Sequence, residues 1–269
     1  MLANQRKDYD AAEALYKKAL ALDPSHAGNT NAYASFLFDQ RKDRDAAETY
    51  YKKALVLDPS DATNTGNYAN LQAERGDYDA AEALYKKALE LDPGHANNTS
   101  NYASFLSNQR QDFDAAEALY KKALELDPAA ANTIANFASL LLSKADPASL
   151  RQVGPLVRRV VKLCDRKPSQ TVAEALLYGC LQRALTSGSA DELLARLKGL
   201  LALGYARGSL DFAALFDRVL PKLAPERQAF YRALGAAILE ADRLADLDAF
   251  ESWHTALATD PFAPFDAHE

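Results

Sequence analysis

The sequence predicts an all-α solenoid of antiparallel helix pairs. Two observations carry the prediction. Four segments are near copies: DYDAAEALYKKALALDP from Asp8, DRDAAETYYKKALVLDP from Asp43, DYDAAEALYKKALELDP from Asp77 and DFDAAEALYKKALELDP from Asp112. They start 35, 34 and 35 residues apart, and a fixed period of this length marks stacked repeats rather than one closed core. Each copy also carries apolar residues at helical spacing. In the third, Ala81, Leu84, Tyr85, Ala88, Leu89 and Leu91 form an i, i+3, i+4, i+7 stripe.

Residues 2–8 read LANQRKD and match LSNQRQD at 106–112, where one helix is expected to close and turn into the next. The chain therefore opens half a repeat late. Either it is a fragment of a longer array, or a lone helix opens the stack. In the second case Leu15, Tyr16 and Ala19 present an apolar face that can pair with a second copy in a homodimer.

The second helix of each unit is expected to start at a capping box: Asp10/Glu13, Asp45/Glu48, Asp79/Glu82 and Asp114/Glu117. It stops at Asp-Pro, because proline lacks an amide donor and disfavours α geometry in the residue before it. The paired lysines at 17–18, 52–53, 86–87 and 121–122 read as a solvated face, with Glu82 and Lys86 in the favourable i, i+4 order. The first helices read NTNAYASFLF, NTGNYANLQA, NTSNYASFLS and NTIANFASLL. Alanines at fixed places let helices approach, and Tyr33, Tyr68, Tyr102 and Phe137 fill the wider gaps. One pair cannot bury its apolar face alone and needs the next pair.

The pattern fades after residue 145. Residues 146–261 still read as paired helices, at 147–164, 169–187, 190–203, 209–222, 225–243 and 246–258, punctuated by Pro168, Gly188, Gly204, Gly208 and Pro225. They are either degenerate repeats or a separate α-helical C-terminal domain. Residues 262–269 form a tail.

These units resemble the tetratricopeptide repeat (TPR). Its small-residue and proline spacing appears at Ala12/Ala19/Pro24, Ala47/Ala54/Pro59, Ala81/Ala88/Pro93 and Ala116/Ala123/Pro128, and returns at Ala249, Ala256 and Pro261. The chain departs from the family where Thr-x-x-Tyr-Ala replaces Trp-x-x-Leu-Gly and where three linking turns carry an extra residue. In style the repeats are closest to those of kinesin light chain. The resemblance implies a right-handed superhelical α-solenoid acting as a non-enzymatic scaffold or adaptor.

Composition narrows the partners. The net charge is −6, which argues against nucleic acid, since phosphate contacts need a basic face. No apolar run approaches the ~20 residues of a membrane span, and no signal segment opens the chain. A cytoplasmic protein follows, with Cys164 and Cys180 as reduced, buried thiols. No phosphate loop, nucleophile elbow or metal-binding motif is present, so no cofactor and no metal are expected. His26 and His95 read as exposed loop residues, His254 as a packing residue beside Trp253, and Arg151, Arg158, Lys162 and Arg166 as one solvated helix side.

The candidate site lies on the first helices, which the resemblance places on the concave face. Asn67, Asn101 and Asn136 each precede the aromatic; the equivalent Ala32 has Asn31 beside it. The resemblance implies an asparagine ladder that binds the main chain of an extended peptide, as in kinesin light chain and protein O-linked N-acetylglucosamine transferase. The competing reading is a tolerated polar residue or local cap. The predicted groove comprises Asn31, Ser35, Asp39, Asn67, Asn70, Glu74, Asn97, Asn101, Ser104, Asn108, Asn132, Asn136 and Ser139, with Ser100 beside them. It lacks the lysines and arginines that grip an acidic chaperone tail, so a neutral or basic peptide or protein partner is expected. Two alternatives stand: a regulatory subunit or fragment of a larger multidomain protein, and an enzyme with an unrecognised site in 146–261.

Overall fold

The structure, a computed structural model, describes residues 2–144, 146–163, 181, 191–202, 216, 217 and 219–255. Among them every regular element is helical. The chain divides into two compact units, Met1–Leu126 and Asp127–Glu269.

The first unit stacks seven helices: α1 (Leu2–Leu22), α2 (Ala27–Phe36), α3 (Arg44–Leu57), α4 (Ala62–Arg75), α5 (Tyr78–Leu91), α6 (Ala96–Phe105) and α7 (Phe113–Leu126). Each packs on the next in the chain, and the first helices also touch directly, α2 on α4 and α4 on α6. The predicted alanines are the reason they fit. Ala34, Ala47, Ala54, Ala69, Ala81, Ala88, Ala103, Ala116 and Ala123 have no exposed surface. Tyrosines fill the space between: Tyr16 stacks on Tyr33 at 5.8 Å and Tyr85 on Tyr102 at 5.4 Å, ring centre to ring centre.

The extra residue of the 35-residue steps has a definite place. It is absorbed in a π-helical turn at the end of the first helix, Leu37–Arg41 after α2 and Leu106–Arg110 after α6. Each turn closes on a left-handed residue, Lys42 (φ 58°) or Gln111 (φ 55°), and the next aspartate amide reaches six residues back, Asp43 to Leu37 and Asp112 to Leu106. The 34-residue step has no such turn. There α4 ends at Gly76 (φ 83°), whose amide bonds Ala73 O while Asp77 N bonds Gln72 O, a Schellman closure.

Three local expectations are corrected. Residues 2–8 do not turn: α1 runs unbroken from Leu2 to Leu22. A turn like that at 106–112 would hold Lys7 left-handed at a cost of about 1–2 kcal/mol; at Lys42 and Gln111 that cost is met where the helix before the turn, α2 or α6, packs on its neighbours. The capping boxes do not form either. The caps are Asp43, Asp77 and Asp112, two residues earlier, accepting from Ala46, Ala80 and Ala115 amides at 3.1, 3.2 and 3.1 Å. The left-handed residue just before each cap turns its carboxylate onto the first turn of the helix. On α1, Leu15 is exposed, but Tyr16 is packed against Tyr33 and Phe36 and Ala19 is half-buried, so the expected apolar face is narrower than predicted.

The second unit contains α8 (Ala131–Lys144), α9 (Pro147–Leu163), α10 (Asp191–Ala202), α11 (Pro225–Leu239) and α12 (Glu251–Thr255), with 3-10 segments at Leu220–Lys222 and Ala241–Ala249. Helix α8 packs on α9, and Asp146 caps α9 through the amides of Ala148 and Ser149. The helix predicted over 225–243 ends at Leu239, and that over 246–258 starts only at Glu251, because residues 241–249 tighten into the 3-10 segment. Lys198 pins the last helix, donating to Trp253 O at 2.8 Å with its ammonium 5.2 Å from the ring centre. Trp253 is buried, whereas His254 is exposed, its Nε2 2.6 Å from Asp248 O; the tryptophan is the packing residue. Cys164, Cys180, Arg166 and most of the segments 169–187 and 209–222 lie outside the described residues.

Candidate functional site

The face formed by α2, α4 and α6 carries most of the predicted groove. On α2, Asn31 and Ser35 lie one turn apart. From α4, Asn67 Nδ2 donates to both, to Asn31 Oδ1 and Ser35 Oγ at 3.3 Å each. Ser35 also accepts from Tyr51 of α3 at 3.1 Å. One turn on from Asn67, Asn70 accepts from Tyr85 at 2.5 Å, and the hydroxyls of Ser104 and Tyr120 lie 2.8 Å apart. Each repeat thus ties its second-helix tyrosine to a polar residue of its first helix. Burial pushes the Tyr51 and Tyr120 hydroxyls up to about 12 and raises Tyr85 further.

Asn101 sits at the same place on α6, half-buried, and makes no hydrogen bond to a described residue. Asn97 and Asn108 are exposed on α6 and its π-helical turn. Asp39 is exposed on the turn after α2; its carboxyl is raised by partial loss of water, with Lys42 opposing and Glu74 adding to the shift. Glu74 is not a free acid: Arg44 donates to it at 2.8 Å. Asn132, Asn136 and Ser139 lie on α8 in the second unit, where Ser139 bonds its own helix at Ala135 O, 3.0 Å away.

Beneath this face is a layer that the sequence reading missed. Asn64 and Asn98 are buried; Asn64 Nδ2 donates to Tyr51 O at 3.3 Å and Asn98 Nδ2 to Ala62 O at 2.8 Å. The difference has a steric cause. Asn98 lies over Gly66, where a Cβ would stand 2.2 Å from its Oδ1. The residue in register beneath Asn64 is Asn31, which has that Cβ. Asn64 is therefore turned toward α3, and its buried Oδ1 has no hydrogen-bond partner among the described residues.

A second repeated network was also missed. Glu13, Glu48 and Glu82 each accept from the lysine four residues on, at 2.7, 2.8 and 2.8 Å, and from a tyrosine of the following first helix: Tyr33, Tyr68 or Tyr102. Arg41, Arg75 and Arg110 close the set, forking between Asp10 and Glu13, Asp45 and Glu48, and Asp79 and Glu82. The hydrogen bond from lysine first, with the neighbouring arginine and, at Glu13 and Glu48, the tyrosine, holds these three glutamates below the usual range against a desolvation penalty. The arginines recur 34 and 35 residues apart, in step with the carboxylates, and that shared period was the signal available in the sequence.

His26 and His95 cap α2 and α6, their Nδ1 accepting from Asn29 and Asn98 amides at 3.1 and 3.2 Å. The intervening cap is Asp61, so the two histidines do not face each other. Among the described residues no three His, Cys, Asp or Glu side chains cluster as a metal site, and no helix is long and apolar enough to cross a membrane.

Comparison with known proteins agrees with this fold. The family model described as the cilia and flagella-associated protein 70 middle TPR-like domain matches residues 38–209, and one described as tetratricopeptide repeat matches residues 2–62. No curated protein sequence matches. Among solved structures the chain is similar to PilF of Pseudomonas aeruginosa, with TM-score 0.59 and 23% identity over 75% of this chain and 89% of that one. Yeast Tom70 gives 0.58 and 20% over 86% of this chain and 45% of that one. YrrB, described as a TPR protein with an unusual peptide-binding site, gives 0.50 and 19% over 69% and 91%. With its stacked helix pairs and a family model spanning more than half its length, the chain belongs to the tetratricopeptide-repeat family, all-α repeat solenoids that serve in general as protein-interaction scaffolds.

Proposed function

We propose that the first unit binds an extended peptide segment of a partner protein along the concave face of α2, α4 and α6. The observation that carries this is the pair of amide side chains Asn67 and Asn101, at the same register on successive first helices, with buried Asn31 bonded to Asn67 from the helix before. A carboxamide both donates and accepts, so it pairs with a peptide main chain whatever the side chains. YrrB, with a similar fold, is described as having a peptide-binding site, which supports the reading. Asp39, on the turn after α2, has no ion-pair partner among the described residues. It favours a neutral or basic peptide over an acidic one.

Calorimetry on the intact chain tests this with an extended serine–lysine peptide and its serine–glutamate counterpart. The basic peptide should bind more tightly, and Asn67→Ala/Asn101→Ala should weaken it about five- to tenfold. Equal affinity in the double variant sinks the proposal.

A further inference from the structure

The rungs of this row are not equivalent. Both hydrogens of the Asn67 amide are spent inside the protein, on Asn31 Oδ1 and Ser35 Oγ at 3.3 Å. For Asn101, the residue in register with Asn31 on the preceding helix is Gly66, which has no side chain. The residue in register with Ser35 is Asn70, which holds Tyr85 at 2.5 Å and is not bonded to Asn101. Asn101 accordingly makes no hydrogen bond to a described residue.

We infer that Asn101 is the open rung that reads a ligand main chain, and that Asn31 acts as a built-in competitor holding Asn67 closed. The inference rests on the peptide-binding reading for its consequence but not for its geometry. A ligand carbonyl at Asn101 meets an idle donor, whereas at Asn67 it must first displace an existing bond, to Asn31 or to Ser35. The net gain at Asn67 is correspondingly smaller, since one hydrogen bond is exchanged for another. Asn31 plays this part because its side chain stands where Gly66 has none, and the same side chain keeps Asn64 turned toward α3.

Side-chain amide hydrogen exchange, read by NMR on the intact chain, tests the geometry without any ligand. Asn67 should exchange more slowly than Asn101, and Asn31→Ala should speed Asn67 toward the Asn101 rate, with the bond to Ser35 remaining, while leaving Asn101 unchanged. Asn31→Gly, which copies Gly66, serves as the second variant if alanine is poorly tolerated. Equal exchange of the two amides in the unaltered protein, or no response to either variant, overturns the inference.

The ligand arm uses the serine–lysine peptide. Asn101→Ala should lose about five-fold in affinity, Asn67→Ala less than about two-fold, and Asn31→Ala should gain a few-fold. Equal losses at Asn67 and Asn101 overturn the inference too. Absence of any binding overturns the peptide-binding proposal instead, and the exchange measurement then decides the inference alone.

Discussion

Gly66 shows how much one missing side chain can decide. A Cβ there would stand 2.2 Å from Asn98 Oδ1, and Asn98 cannot withdraw cheaply because its amide is bonded to Ala62 O. Gly66→Ala should therefore destabilise the first unit by about 1–3 kcal/mol, the usual cost of overpacking a filled site. That result would be unexpected on propensity alone, since alanine is the better helix former; a raised denaturation midpoint would refute it. Individual residues were legible in the sequence unevenly. The buried alanines could be read because their role depends only on size and recurrence. The hydrogen-bond state of Asn31, Asn67 and Asn101 could not, because it depends on which side chain the previous repeat places beneath each one. The roles of His26 and His95 were hidden for a related reason: a histidine cap uses a ring nitrogen at a helix start, a place where aspartate or serine is the usual sign.

At the scale of single elements, the turns after α2 and α6 hold lysine and glutamine where the turn after α4 holds glycine. Gln111→Gly should stabilise the protein by about 1 kcal/mol, because glycine occupies the left-handed region without steric cost. Gly76→Ala should destabilise it by a similar amount. Thermal melts of both variants check the pair, and matching signs would count against the account. The location of the extra residue was not legible from the 35-residue period, which gives its number but not the helix end that absorbs it. The glutamate networks joining each second helix to the next first helix set the acid response. Their carboxyls are lowered on folding, so their contribution is complete above the unfolded value of about 4.3 and is lost as the pH falls through the lower folded values. Urea midpoints should fall across that window in the unaltered protein. In Glu48→Gln/Glu82→Gln the fall should be shallower; an identical pH profile would show that the networks do not stabilise the fold.

For the whole molecule, the helical class of the described residues could be read from the sequence, as could the repeat length and helix pairing of the first unit, because each follows from periodicity. The second unit was harder to read: without near copies, helix ends such as Leu239 are set by local packing rather than by a recurring signal. The tyrosines buried in successive repeats predict an alkaline limit. Tyr51 and Tyr120 reach about 12 and Tyr85 lies higher, so folding disfavours their ionisation. Stability should hold below the unfolded tyrosine value of about 10 and decline as the pH rises toward the folded values. Tyr85→Phe, which forfeits the bond to Asn70, should flatten that decline in far-ultraviolet melts, and an unchanged slope would exclude it as a source. The π-helical turns have a consequence for how such a chain can evolve. They take up one residue at the end of a first helix while the following aspartate still caps the next helix, so a codon gained or lost there leaves the succeeding repeat in frame with the stack. Gene segments of 34 and 35 codons can then be duplicated, exchanged or spliced within one array, and the resulting proteins keep their helices in register.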